Sequence, residues 1–232
     1  MMVLVQKVPT GITNLDKIIN GGFARNNIIT ISGSTGSGRT IFGIQFLANG
    51  AYEYEERGMY ISFSEPKYSL FANMSSFIFN LPEMEKSKKV IFIEYPQNEL
   101  DQFLEKENAI LELIDALGVQ RLVLDTISPL FSFIEPKYQK IHMQKVINTI
   151  RKWGATTIIT ADDLFPADPN IPRTDIGIEN LSDGFIHLGW KIINEKRIRV
   201  LEVIKMRGSA HKHGFYQYEI DSDGIKIIKE IK

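Results

Sequence analysis

The chain has 232 residues, 44% of them hydrophobic and 24% charged, and 27 Lys and Arg against 28 Asp and Glu leave a formal net charge of −1. This composition excludes a mainly disordered chain and a global basic field for nucleic acid, so any DNA contact needs a local patch. Cysteine is absent, which removes a disulfide scaffold, a thiol nucleophile and a zinc–thiolate site together and fits a cytoplasmic, reducing setting.

No apolar run approaches the roughly 18 residues of a membrane span. MMVLVQKVPTG is too short in apolar residues, and lacks the small-residue cleavage site, of a secretory signal. The first strong strand is predicted at Ile28–Ser32, and the pattern then alternates. Strands are predicted at Met59–Phe63, Lys89–Tyr95, Arg121–Thr126 and Thr156–Thr160. Helices are predicted at Thr40–Tyr54, Lys67–Asn80, Asn98–Leu117 and Pro136–Trp153. Such alternation implies right-handed crossovers and a mostly parallel sheet covered on both faces. RLVLD and TTIIT read as doubly buried strands.

ADDLFPADPNIPRTD, with three prolines and four aspartates, then reads as loop. GFIHLGWKII, RIRVLEVIKMR, FYQYEI and IKIIKEI follow with period-2 patterning, and DSDG, with Asp223–Gly224, reads as a hairpin turn. This antiparallel meander is too small for a core of its own and is expected to extend the main sheet. The expectation is one α/β domain over residues 1–232.

Between the first strand and first helix lies GSTGSGRT: Gly33, Ser34, Thr35, Gly36, Ser37, Gly38, Arg39 and Thr40. The glycines let backbone N–H groups curl around a phosphate, and the helix that follows adds its N-terminal dipole. Thr40 can place a hydroxyl on Mg²⁺, and Asp125, ending a buried strand, can face the same metal. A dinucleotide fingerprint fits less well, because Ile41 stands where its third glycine belongs. The usual Lys of such loops is Arg39, longer and forked. Either Arg39 substitutes with little loss, or the geometry at the transferring phosphoryl group is altered.

Taken in order, VPTGITNLDKIINGGF, GSTGSGRT, YISFSEP, RLVLDTIS, IENLSDGFIHL and VIKMRGSAHKHGFYQYEI resemble the single-domain KaiC-like ATPases of the RecA/RadA superfamily, of the archaeal RadA-paralogue type. The resemblance implies a RecA-like P-loop NTPase core, ATP with Mg²⁺, and a homo-oligomeric ring such as a hexamer with nucleotide between protomers. It implies that Lys205 and Arg207 reach the γ-phosphate of a neighbouring subunit. Where the family carries a pair of glutamates, this chain has Ser64–Glu65. Serine is no base at neutral pH. Glu65 either substitutes for the missing base or serves as a helix N-terminal carboxylate before Pro66.

The expectation is therefore an ATP-binding regulatory protein with weak or absent hydrolysis. The alternative is an active DNA-dependent ATPase, a recombinase paralogue that contacts single-stranded DNA and a RadA-type or other protein partner. For DNA, the candidates are Lys137, Lys140, Lys145, Arg151 and Lys152, though a solvated helix face suits them better. The stretch Ala161–Ile178 lies where RecA relatives place a DNA loop, but its aspartates disfavour phosphate. His142, His187, His211 and His213 lack metal-ligand spacing. Phe71, Phe77 and Phe79 read as packing rather than as a base-stacking platform.

Overall fold

The computed structural model describes residues 6–95, 103, 105–132, 134–164 and 172–231. Its strands in chain order are β1 (Lys7–Val8), β2 (Phe23–Ala24), β3 (Ile28–Gly33), β4 (Arg57–Ser62), β5 (Val90–Glu94), β6 (Val119–Asp125), β7 (Thr156–Asp162), β8 (Gly184–Ile193), β9 (Lys196–Met206), β10 (Phe215–Asp221) and β11 (Gly224–Ile231). The α-helices are α1 (Leu15–Ile18), α2 (Arg39–Glu53), α3 (Lys67–Asn73), α4 (Leu81–Lys86), α5 (Glu107–Leu117) and α6 (Pro136–Lys152).

Among the described residues, β1 and β2 form a small ribbon, and the other nine strands form one sheet in the order β11-β10-β9-β8-β3-β7-β6-β4-β5. From β5 to β8 all neighbours run parallel. From β8 onward they alternate antiparallel. The predicted α/β architecture is thus present, and the C-terminal meander extends the main sheet. Its first strand, β8, joins parallel to β3, which carries the glycine loop at its carboxyl end.

Two apolar clusters cover the two faces. One takes its helical residues from α1 to α4, including Leu15, Phe42, Phe46, Leu70 and Met84. The other takes them from α5 and α6, including Ile110, Ile114, Val146 and Ile150. This two-sided cover explains the near-continuous apolar runs of β3, β6 and β7.

The predicted helix Lys67–Asn80 is broken. It ends at Asn73, and a separate helix starts at Leu81 with the Asn80 side chain accepting from the Glu83 N–H. Tertiary contacts override the helical pattern between them. The Ile78 N–H donates to the Ser222 carbonyl at 3.0 Å, and Phe77 and Phe79 stack with centroids 5.6 Å apart. Side chains two apart do not share a helix face. These rings and Phe71 line the core, as the packing reading expects. The predicted helix Asn98–Leu117 is observed from Glu107; residues 98–102 and 104 lie outside the described residues.

The hairpin turn is DSDG, as predicted. Asp221 pairs with Gly224, so Ser222–Asp223 is the loop, and the Asp223 N–H donates to the Asp221 side chain. By contrast, β7 runs on to Asp162, so Ala161 and Asp162 are strand, not loop.

RLVLD hides a charge. Arg121 is 0% exposed. Its Nε donates to Glu56 Oε2 at 2.6 Å, while Glu56 Oε1 takes Arg25 at 2.9 Å. Arg121 Nη1 also donates to the Pro9 and Phe46 carbonyls. The guanidinium passes α2 at Gly50, where a Cβ would lie 2.4 Å from Arg121 Cδ. Glycine is required there by close approach.

Candidate functional site

In an open parallel sheet, ligands bind beyond the carboxyl ends of the strands, where neighbouring connections diverge. Here that point is β3, flanked by β7 and β8. Gly33 ends β3, Ser34, Thr35 and Gly36 form an exposed tip, and Ser37 is buried again. The Ser37 N–H donates to the Ser34 carbonyl, closing the turn. Gly38 adopts φ +94° at the start of α2, and a Cβ there would meet Ile220 Cδ1 at 2.7 Å. The dihedral favours glycine there, and an added Cβ would also push the Ile220 methyl aside.

Two of the loop's carbonyls are held by side chains from distant strands. Tyr218 Oη donates to the Ser37 carbonyl at 2.5 Å, and Arg199 Nε to the Gly36 carbonyl at 3.3 Å. Burial pushes the Tyr218 phenol up, so it stays a neutral donor. With these two carbonyls engaged, a glycine-rich loop can offer its remaining N–H groups to an anion. The first turn of α2 adds N–H groups without intrahelical partners.

Thr40 and Asp125 meet as expected. Thr40 Oγ donates to Asp125 Oδ2 at 2.7 Å. Two further hydroxyls hold the same carboxylate: Tyr60 donates to Oδ2 and Thr160 to Oδ1. The Tyr60 phenol is raised well above its ordinary value by burial, then by Asp125, with Glu65 adding to the effect. It therefore remains protonated and a donor. The cluster fits a hard divalent cation, which favours oxygen donors such as a threonine hydroxyl and a carboxylate. When bound, Mg²⁺ would neutralise phosphate charge there.

Arg39 does not face the cradle. Its Nη1 donates to the Ala161 carbonyl at 2.6 Å, and its Nη2 pairs with Asp162 Oδ1 at 2.6 Å. Glu65 is also engaged. Its Oε1 accepts from Ser69 Oγ at 2.6 Å and Asn73 Nδ2 at 2.5 Å, both on α3. Ser64 is exposed, two residues beyond Ser62, which pairs in register with Asp125.

Lys205 and Arg207 lie at the other end of the sheet. Met206 pairs with Gly184, and Gly184 with Ile29, at the start of β3. Gly33 is four residues further, roughly 13 Å at about 3.3 Å per residue. Lys205 Nζ donates to the Ser182 and Glu179 carbonyls at 2.6 and 3.1 Å. Burial, and then Arg207, hold its pKa below the ordinary lysine value. Arg207 Nη1 lies 3.4 Å from Asp183 Oδ1, and Arg151 forks onto both oxygens of that carboxylate at 2.9 Å. Arg151 is therefore not a free member of the α6 cation cluster. Lys137, Lys140, Lys145 and Lys152 are exposed. His187 Nε2 lies 3.2 Å from Asp163, and the His211 and His213 rings touch each other. Of the stretch 161–178, residues 165–171 lie outside the described residues.

Sequence reasoning missed Tyr60, Thr160, Asp162, Arg199 and Tyr218. The first two carry a usable signal, a hydroxyl inside an otherwise apolar buried strand. The others depend on strand order, which spacing does not reveal.

A family model described as "ATPase: KaiC" matches residues 8–232. The circadian clock protein KaiC2 of Synechocystis is 32% identical over 230 residues, covering 96% of this chain and 40% of that protein. The circadian clock oscillator protein KaiC of Parasynechococcus marenigrum is 28% identical over 232 residues, covering 96% and 45%. The chain thus spans less than half the length of these curated relatives. A crystal structure of a KaiC-like protein from Pyrococcus horikoshii superposes with a TM-score of 0.84 at 29% identity, covering 97% of this chain and 99% of that one.

Proposed function

This chain belongs to the KaiC family of ATPases, and on that premise we propose that it is a single ATP-binding domain that assembles through nucleotide-bridged contacts between copies and hydrolyses ATP slowly. The observation that carries the binding reading is Thr40 hydrogen-bonded to Asp125 at the mouth of a glycine-built anion cradle. The slow turnover rests on Arg39, tied to Asp162, and on Ser64 in the place of a base, with the Glu65 carboxylate held by α3.

Calorimetry of the unmodified protein, with ATP in Mg²⁺ and in chelator, tests the binding. Thr40→Ala is expected to weaken the Mg²⁺-dependent part by about tenfold, the scale of one charge-assisted contact, while binding in chelator changes little. No heat at millimolar ATP would overturn the reading. Turnover measured alongside, with and without single-stranded DNA, addresses the recombinase-paralogue alternative. The exposed lysines of α6 are the observation that favours it, and strong DNA stimulation would select it.

Lys205 and Arg207 are too far along the sheet from Gly33 to serve a nucleotide held by their own chain. They suit the γ-phosphate of another copy, where such a cation is worth about 10³-fold or more in rate. Arg207→Ala is expected to abolish ATP-dependent assembly in sedimentation while leaving thermal unfolding near unchanged. The Arg207 side chain is 57% exposed, and Arg151 keeps Asp183 paired. A protein that sediments as a monomer with and without ATP removes the idea.

A further inference from the structure

We infer that Asp162 is a positioning residue for Arg39: an internal counter-anion that an incoming polyphosphate must displace, and so a determinant of nucleotide affinity. The inference rests on the ATP-binding reading above and goes beyond it, since it assigns a role to a residue outside the glycine loop.

Arg39 is the first residue of α2, so its backbone belongs to the cradle while its side chain is drawn toward β7. A guanidinium presents its donors in one rigid plane. Here Nη1 is used by the Ala161 carbonyl and Nη2 by the Asp162 carboxylate. The fork therefore faces β7. Carboxylate and phosphate are the same class of partner for that fork, so Asp162 occupies the place a phosphate oxygen would take.

Asp162 is itself held. It pairs in register with Gly33 on the neighbouring strand. Its N–H donates to Ser128 Oγ at 3.2 Å, and its carbonyl accepts from the Asp175 N–H at 2.9 Å. Ser128 in turn donates to Asp175 Oδ1. The competing anion is thus built one strand away from the cradle, on an anchored backbone. Its side chain is 48% exposed against 16% for Arg39, so water screens the pair in part. A partly screened carboxylate is an anion that several phosphate charges can outbid.

The test is a double-mutant cycle read as ATP affinity by calorimetry. Asp162→Asn is nearly isosteric and keeps both backbone bonds; it is expected to tighten ATP binding by about three- to fivefold, the upper part of the range one partly screened pair supports. In an Arg39→Ala background the same change is expected to have less than about a twofold effect. Asp162→Glu, which keeps the carboxylate, should stay near the unmodified protein. Circular dichroism confirms that each variant is folded. An equal gain in both backgrounds would mean that only local negative charge was removed, and the inference fails. If unmodified protein and Asp162→Asn bind ATP equally, the inference fails and the binding reading stands. Binding by Asp162→Asn alone supports the inference and overturns the binding reading for the unmodified chain. Binding by neither overturns both.

Discussion

Arg39→Lys combined with Ser64→Glu is expected to raise single-turnover ATP hydrolysis by about 10²- to 10⁴-fold, the span that a positioned general base contributes. Ser64 follows Phe63, whose N–H donates to the Asp125 carbonyl, so a carboxylate at position 64 emerges beside the Thr40–Asp125 pair. A serine hydroxyl there accepts no proton at neutral pH. Glu65 is the neighbouring carboxylate, but Oε1 is held by Ser69 and Asn73. Arg39 is the second expected deficit. Lysine is a compact point charge and cannot fork between the Ala161 carbonyl and Asp162 as Arg39 does. It is freer to follow charge developing at a transferring phosphoryl group. Both residues serve one step, so the double change should exceed either single one without matching their product. ATP affinity should change less than turnover. A rate already near 1 s⁻¹ in the unmodified protein, ordinary for an enzyme, would show that another group supplies the base.

Glu56→Ala is expected to lower stability by about 3–5 kcal/mol, the effect of stripping one partner from a buried ion pair. Glu56 takes two arginines, and one of them, Arg121, has a side chain at 0% exposure. Removing the carboxylate leaves that charge in a low-dielectric interior. The Phe46 and Tyr54 rings, with centroids 4.6 and 5.6 Å from the guanidinium carbon, soften this only in part. Urea unfolding measures it. Adding Arg121→Met to Glu56→Ala should recover much of the loss, because an apolar replacement for a whole buried pair is often neutral. A single-variant loss below about 1 kcal/mol, the scale of an exposed pair, would contradict the burial described here.

The elements that were legible in sequence are those whose pattern has one cause. β3, β4, β6 and α2 appear within a few residues of expectation because doubly buried strands and a helix after a glycine loop leave plain signatures. The break after Asn73 was not legible. Its cause is a hydrogen bond from Ile78 to Ser222, and no local propensity encodes a contact so distant. The same holds within the site. Gly33–Thr40 and Asp125 are legible because loop chemistry and strand ends are local. Asp162 lies in a stretch that reads as loop, so its pairing with Arg39 requires knowing that β7 lies beside β3. Arg121 was hidden because one charge in an apolar run gives no sign of its partner Glu56, 65 positions away.

Tyr218 and Arg199 hold the outer wall of the glycine loop from 181 and 163 positions downstream. Chains are made and begin to fold from the amino end, and contacts this distant in sequence form late. A nascent chain that already has β3 and α2 carries the loop's glycines, but the carbonyls of Gly36 and Ser37 lack these two donors. On a ribosome, these two anchors of the loop arrive only when β9 and β10 have emerged and docked, so translation itself delays the finished site by most of the length of the molecule.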